Sequence, residues 1–125
     1  MPITYTVEDN GTFVHTTARG AVTDEDLLNY QAALLADARV RPGFDELFDA
    51  TAARESGLSE AMIEKMIEVD RSHAEKLRCG RCAVVVWDGF ELADQFVSRH
   101  GGPHTVMVFC NLDVAELWLG RKKIT

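Results

Sequence analysis

No run of about 18 apolar residues occurs anywhere in this chain, so no helix expected from it spans a bilayer. Basic residues are scarce. Thirteen Lys and Arg stand against 20 Asp and Glu, for a formal net charge of −7. That deficit argues against a general nucleic-acid binder, which needs a basic face for phosphates. It also argues against docking on an anionic membrane. Cysteines number three, and an odd count gives no disulfide framework; a reducing cytosol suits such a chain. The opening segment, Met1 to Val7, lacks the basic and apolar blocks of a signal peptide. There is no Gly-rich phosphate loop of standard spacing and no G-x-S-x-G nucleophile elbow. Linkers, repeats and low-complexity stretches are missing too.

What is present is enough for one hydrophobic core. At 125 residues the chain has the length of a single domain, expected over 1–125. Ile3, Tyr5 and Val7 alternate with threonines, which is strand periodicity. Asp9-Asn10-Gly11 reads as a hairpin turn, because Asn-Gly tolerates positive φ at both central positions. Phe13 to Val22 returns as a second strand, with Gly20 placed to bend it or form a bulge. Thr23 caps a helix, with Asp26 completing an approximate capping box and Leu27, Leu28, Leu34, Leu35 and Ala38 on its apolar face. Pro42-Gly43 is expected to stop that helix.

The third strand begins at Phe44. Its apolar run ends at Asp49, and a small-residue loop is expected from Thr51 to a helix capped by Ser59. The core stripe of that second helix is Ile63, Met66, Ile67, Ala74 and Leu77. Arg81 to Trp87 contains Ala-Val-Val-Val, a strand buried on both faces as in a parallel sheet. A short helix over Phe90, Ala93, Phe96 and Val97 follows, then a strand from His104 to Cys110. A last helix is expected to be capped by Asp113, with Glu116 completing a capping box, and to end at Gly120. The order β-β-α-β-α-β-α-β-α predicts an α/β fold with a mixed five-stranded sheet and helices packed on it, Ala83–Trp87 lying inside the sheet.

Three polar constellations stand out. Ser56 and Ser59 lie near a helix N-terminus, where backbone N–H groups favour an anion, with Arg54 beside them. Their plain alternative is a turn residue and an N-cap. Asp70 and His73, at i,i+3 spacing, form a polar notch in the second helix, where a carboxylate can orient an imidazole. The plain alternative is a structural hydrogen bond or a notch at a dimer interface. Cys79-Gly80-Arg81-Cys82 spells C-x-x-C, but it follows a helix and enters a strand, the reverse of the redox arrangement. A zinc site there would need further ligands; Cys110 and His104 fit no zinc spacing. His100 and His104 flank Gly101-Gly102-Pro103, where two histidines in one loop could bind a metal; their plain reading is a polar helix end and a strand start. No metal and no cofactor is expected.

The initial hairpin and capped helix, the strand ending in Asp49-Ala50-Thr51, and the closing string Phe109-Cys110-Asn111-Leu112-Asp113-Val114-Ala115-Glu116-Leu117-Trp118-Leu119 together resemble the STAS-like, SpoIIAA-like domains, relatives of the anti-sigma-factor antagonists. The closing helix is similar to that family's Ala-x-x-Trp-Leu ending. In the antagonists of the family, a serine in an Asp-Ser-x-Gly signature opens the second helix and is phosphorylated by a partner kinase. Here Arg54-Glu55-Ser56-Gly57-Leu58-Ser59 occupies that place, with Glu55 where the signature has Asp and Gly57 directly after Ser56. The resemblance implies the fold, and a non-enzymatic cytoplasmic interaction or regulatory module. Its protein partner would dock through Thr51, Arg54, Ser56, Ser59 and the second helix. Alternatives are a domain for a small apolar ligand or lipid, and, third, an enzyme built on Asp70 and His73. A homodimer is also expected, through Met62, Met66 and Val69 around the polar notch.

Overall fold

In the computed structural model of the chain, residues 2–56, 60–86 and 104–121 are described, with the side chains of 54–56, 60 and 63 set aside. Strands β1 (Ile3–Glu8) and β2 (Phe13–Val22) form the expected antiparallel hairpin, in register from Ile3 opposite Ala18 to Glu8 opposite Phe13. The turn between them has positive φ at Asp9, Asn10 and Gly11 in succession. Gly11 is obligatory: at φ +88° a Cβ on it would lie 2.1 Å from the Arg39 carbonyl oxygen. The Gly11 carbonyl itself accepts from the Arg41 N–H at 2.8 Å, which seats the segment after the first helix against the turn.

Helix α1 (Asp24–Ala36) starts as expected. The Thr23 side chain accepts from the Asp26 N–H at 3.1 Å and the Asp26 carboxylate accepts from the Thr23 N–H at 3.0 Å, a reciprocal box that satisfies two end donors. Three acidic residues in its first turn suit the positive end of the helix dipole. Its end differs from expectation. The helix stops at Ala36, well before Pro42, and Ala38 is exposed while Val40 joins the core. Asp37 leaves helical geometry to accept from Tyr5 Oη at 2.8 Å and to chelate Arg39 through the guanidinium at 3.0 and 2.7 Å. The guanidinium of Arg39 holds the Asp37 carboxyl well below the usual carboxylate range. Lys76 then closes the helix end, donating through Nζ to the carbonyls of Leu35 at 3.0 Å and Asp37 at 2.8 Å.

Strand β3 runs from Asp45 to Ser56, longer than the sequence suggests. It pairs in parallel with β2 along its whole length, with register shifts between Thr17 and Arg19 and between Gly20 and Ala21. The bulge expected at Gly20, φ +68°, is therefore real. The segment from Thr51, expected as a loop, is strand because the long β2 continues beside it. Helix α2 (Glu60–Ser72) is broken at His73 from a single turn, α3 (Ala74–Leu77), where one continuous helix was expected. Strand β4 (Arg81–Val86) pairs with β3 on one side and with β5 (Thr105–Phe109) on the other, both in parallel. It is interior, as its apolar run predicts. The order across the sheet is β1-β2-β3-β4-β5.

Helix α4 (Leu112–Trp118) is capped by Asn111, whose side chain accepts from the Val114 N–H at 3.2 Å. That displaces the expected cap at Asp113 by two residues; Asn111 has extended backbone and the freer geometry for the role. Gly120, at φ +74°, ends the element as expected. The expected helix over Phe90 to Val97, and Trp87 and His100, lie outside the described residues.

Two layers of helix cover the sheet. On one face Phe13, Leu47, Ala83 and Val85 meet Ala115 and Leu119 of the α4 segment. On the other, Val14, Ala18 and Val22 meet Leu27, Leu34 and Leu35 of α1, Met62 of α2 and Leu77 of α3. Alternation along β2 and β4 sends successive side chains to opposite layers. Arg81 ties the α4 end to the sheet. It donates to the carbonyls of Trp118 at 2.7 Å and Leu119 at 3.0 Å and to the Asp45 carboxylate at 3.1 Å, with its guanidinium 5.7 Å from the Trp118 ring centroid.

Candidate functional site

The residues expected to dock a partner fall at one end of the sheet. Thr51 is exposed on β3; its N–H and hydroxyl both donate to Asp49 Oδ1, at 3.0 and 2.6 Å. Arg54 and Ser56 belong to the same strand, with Ser56 opposite Val22 of β2, and Ser59 lies outside the described residues. Among the described residues β3 pairs with β4 from Glu46 to Ala50 and with β2 on to Ser56. This is the carboxyl end of the parallel strands, the side where open α/β sheets place their functional loops.

Helix α2 follows within a few residues. It turns Ala61, Glu64, Lys65, Glu68 and Arg71 to solvent, at the i, i+3, i+4 spacing of one helix face. A shallow groove of about 400 Å³ runs along it, lined by Glu64, Ile67, Glu68 and Arg71. Met62, Met66 and Val69, the residues on which a homodimer was expected, point the other way. Met62 is buried in the core, and Met66 and Val69 pack against it half-buried. Their apolar surface is consumed by the sheet and α1, so the patch that motivated the dimer is not a surface.

The structure does not bring Asp70 and His73 together. His73 is exposed at the break between α2 and α3, its Nδ1 facing the Val69 carbonyl at 3.0 Å and Ser72 Oγ at 3.1 Å. Asp70 is buried and accepts from Gln31 Nε2 of α1 at 2.7 Å. The helix break at His73 is what separates them: i,i+3 residues meet only on continuous helix. Cys79 is exposed after α3 and Cys82 is buried in β4, in the helix-then-strand context read from the sequence; Cys110 is exposed. Among the described residues no group of three or more His, Cys, Asp or Glu side chains is arranged to hold a metal ion.

A polar cluster the sequence reading missed lies under α1 and α2. Tyr30 of α1 donates through its hydroxyl to Glu46 Oε2 of β3 at 2.5 Å, and shares a 2.6 Å hydrogen bond with Thr16 Oγ1 of β2. Glu46 also meets the Cys82 thiol from β4. Beside it Gln31 bridges Asp70 and the Met66 carbonyl, at 2.7 and 2.9 Å, while its Oε1 is buried and takes no hydrogen bond from the protein. Thr16, Gln31, Glu46 and Asp70 are all buried. Burial pushes the Glu46 carboxyl up to about 7, with Asp70 adding to the rise and the Tyr30 hydrogen bond opposing it. Burial likewise raises the Tyr30 phenol and the Cys82 thiol well above their usual values, and the neighbouring Glu46 adds to both. Such a group holds a proton near neutrality; it is walled off from solvent by the two helices.

One signal for it was in the sequence. Glu46 is the second residue of β3, just ahead of the apolar Leu47 and Phe48, and Gln31 interrupts the stripe from Leu27 to Leu35. Polar residues on buried faces need partners, and Glu46 finds Tyr30 while Gln31 finds Asp70.

No protein-family model matches the chain. No curated protein matches it. Among solved structures it is similar to an uncharacterised protein of the DUF3478 family, with a SpoIIAA-like fold, from Shewanella loihica PV-4. The TM-score is 0.58 at 18% identity, and the alignment covers 94% of this chain and 93% of that one. The fold is SpoIIAA-like, as the hairpin, the capped helix and the closing helix implied.

Proposed function

We propose that this domain is a non-enzymatic interaction or regulatory module of the STAS-like type, working in the cytoplasm, that docks a protein partner over the end of β3 and the outward face of α2. The observation that carries the reading is the continuation of β3 from Thr51 to Ser56 beside β2, leading into α2. The candidate residues Thr51, Arg54 and Ser56 belong to that end of β3, and α2 follows within a few residues, which supports the reading. A partner meeting α2 there finds a groove of mixed charge lined by Glu64, Ile67, Glu68 and Arg71. The SpoIIAA-like fold supports the reading at the level of architecture.

Ser56→Asp is expected to weaken docking by roughly tenfold or more, since it sets an unneutralised charge in the contact. Ser56→Ala should leave docking nearly intact. Ser59→Ala, by contrast, should lower fold stability by about 1 kcal/mol through a lost helix cap. An affinity pull-down from the native host with wild type, Ser56→Ala and Ser56→Asp checks this. A partner retained by the first two and lost by the third supports the docking surface. Equal capture by all three removes Ser56 from it, and a small apolar molecule co-purifying with no protein partner favours a ligand-binding domain instead.

A further inference from the structure

We propose that Glu46 is a proton-operated latch between the sheet and the α1/α2 layer: with its carboxyl neutral the two helices seat on the strands, and with it ionised the layer loosens. The geometry is that of a buried carboxyl group with no cationic hydrogen-bond partner among the described residues. Glu46 is buried, and its hydrogen-bond partners are a phenol and a thiol, neither of them cationic. Among the described residues, three elements packed around it each contribute a facing group. From α1 it is Tyr30, from α2 the Asp70 carboxylate and from β4 Cys82; Thr16 of β2 reaches it only through Tyr30. A buried carboxylate in such company is strongly disfavoured against its neutral form.

The neutral form fits the same contacts without strain. The chain Thr16–Tyr30–Glu46 consists of hydroxyl-type groups that can each donate or accept, so its hydrogen bonds reverse direction when the carboxyl gains a proton. Ionisation leaves the Tyr30 bond in place but sets a second negative charge beside Asp70. Asp70 belongs to α2 and is held to α1 by Gln31, so the repulsion bears on the helix that covers the sheet and on its link to the neighbouring helix. The strain falls on the helical layer rather than on the hydrogen-bonded strands.

The direction of the effect follows from linkage. The carboxyl binds its proton more tightly in the folded chain, with a value of about 7 against 4.5 for the free group. Its contribution to stability is therefore complete below about 4.5 and is lost as the pH rises through about 7. Over that window the folding equilibrium constant is expected to fall roughly a hundredfold. The low-lying Asp37 titrates below the window and does not enter it.

Carbon-13 labelling of glutamate carboxyls gives the direct test on the wild-type protein. The Glu46 signal should titrate near neutrality, with the amide hydrogens of α1 and α2 exchanging faster above that midpoint and those of β3 and β4 responding less. In Glu46→Gln, which keeps a hydrogen-bonding side chain of the same shape without the charge, chemical denaturation between pH 5 and pH 8 should lose most of the wild-type slope. A Glu46 signal titrating in the ordinary carboxylate range overturns the proposal whether or not the variant folds. So does helix exchange that is indifferent to the Glu46 midpoint, or a wild-type slope kept by Glu46→Gln.

Discussion

Phe13→Ala is expected to lower the unfolding free energy by about 3–5 kcal/mol, the range for removing a fully buried aromatic side chain. Phe13 opens β2 and is packed among Leu47, Ala83, Val85, Ala115 and Leu119, the cluster that holds α4 to the sheet. Three of those neighbours are on β3 and β4, whose backbones are fixed by parallel pairing on both sides and cannot move in to fill the void. The Phe13 ring also carries the Arg121 guanidinium, 3.8 Å from its centroid. That contact adds the smaller increment of a cation–π pair at a partly exposed site. Urea denaturation followed by circular dichroism measures the loss. Hydrogen exchange should report α4 as the element released first. A loss under about 1 kcal/mol would mean that the α4 face does not depend on this ring.

The second large effect is expected at Tyr30. Tyr30→Phe keeps the ring, which packs edge-on against Tyr5 and Phe48 at 5.7 and 5.5 Å, and removes only the hydroxyl. Glu46 then loses its phenolic donor and Thr16 its partner, in a site closed to water. The expected cost is about 1–3 kcal/mol, larger at alkaline pH than at acid pH. The sign comes from the bond itself. The Tyr30 hydroxyl favours the ionised carboxylate, so its removal moves the Glu46 value above about 7. Stability lost with rising pH is then lost over a longer interval. A double-mutant cycle with Glu46→Gln isolates the coupling. If Tyr30→Phe shows the same pH dependence as wild type, the hydroxyl is not acting on the carboxyl.

Much of the fold could be read before the structure. The alternating strand at Ile3, the Asn-Gly turn, the Thr23 box and the doubly buried run at Ala83–Val86 each have a local physical cause, and each appears where it was expected. The departures have non-local causes. Thr51 to Ser56 is small and polar with no alternation, and it becomes strand only because β2 continues alongside it. Helix α1 ends early because Asp37 finds Tyr5, Arg39 and Lys76, two of them distant in sequence. The apolar face on which a homodimer was expected departs for the same reason: such a helix face says that it will be covered, and here the sheet and α1 cover it. Within the candidate site, Asp70 lies on α2 as its helical spacing implied, whereas Thr51 lies on β3 and not in a loop. The Tyr30–Glu46 pair was illegible because its two members belong to different elements and meet only after both have packed.

The ion pairs at the chain's far end have a consequence for how the molecule is made. Arg121 donates to Glu8 Oε1 at 3.2 Å and to the Asp9 carboxylate, so a residue just past α4 clasps the first turn across more than 110 positions of sequence. Everything else in the sheet joins neighbours that are also successive along the chain, since strand order and chain order coincide. A ribosome delivers such a protein in the order in which it is laid down, each new strand finding its edge already present. The clasp, like the packing of Phe13 on Ala115 and Leu119, must wait for the last helix and residue 121 to emerge.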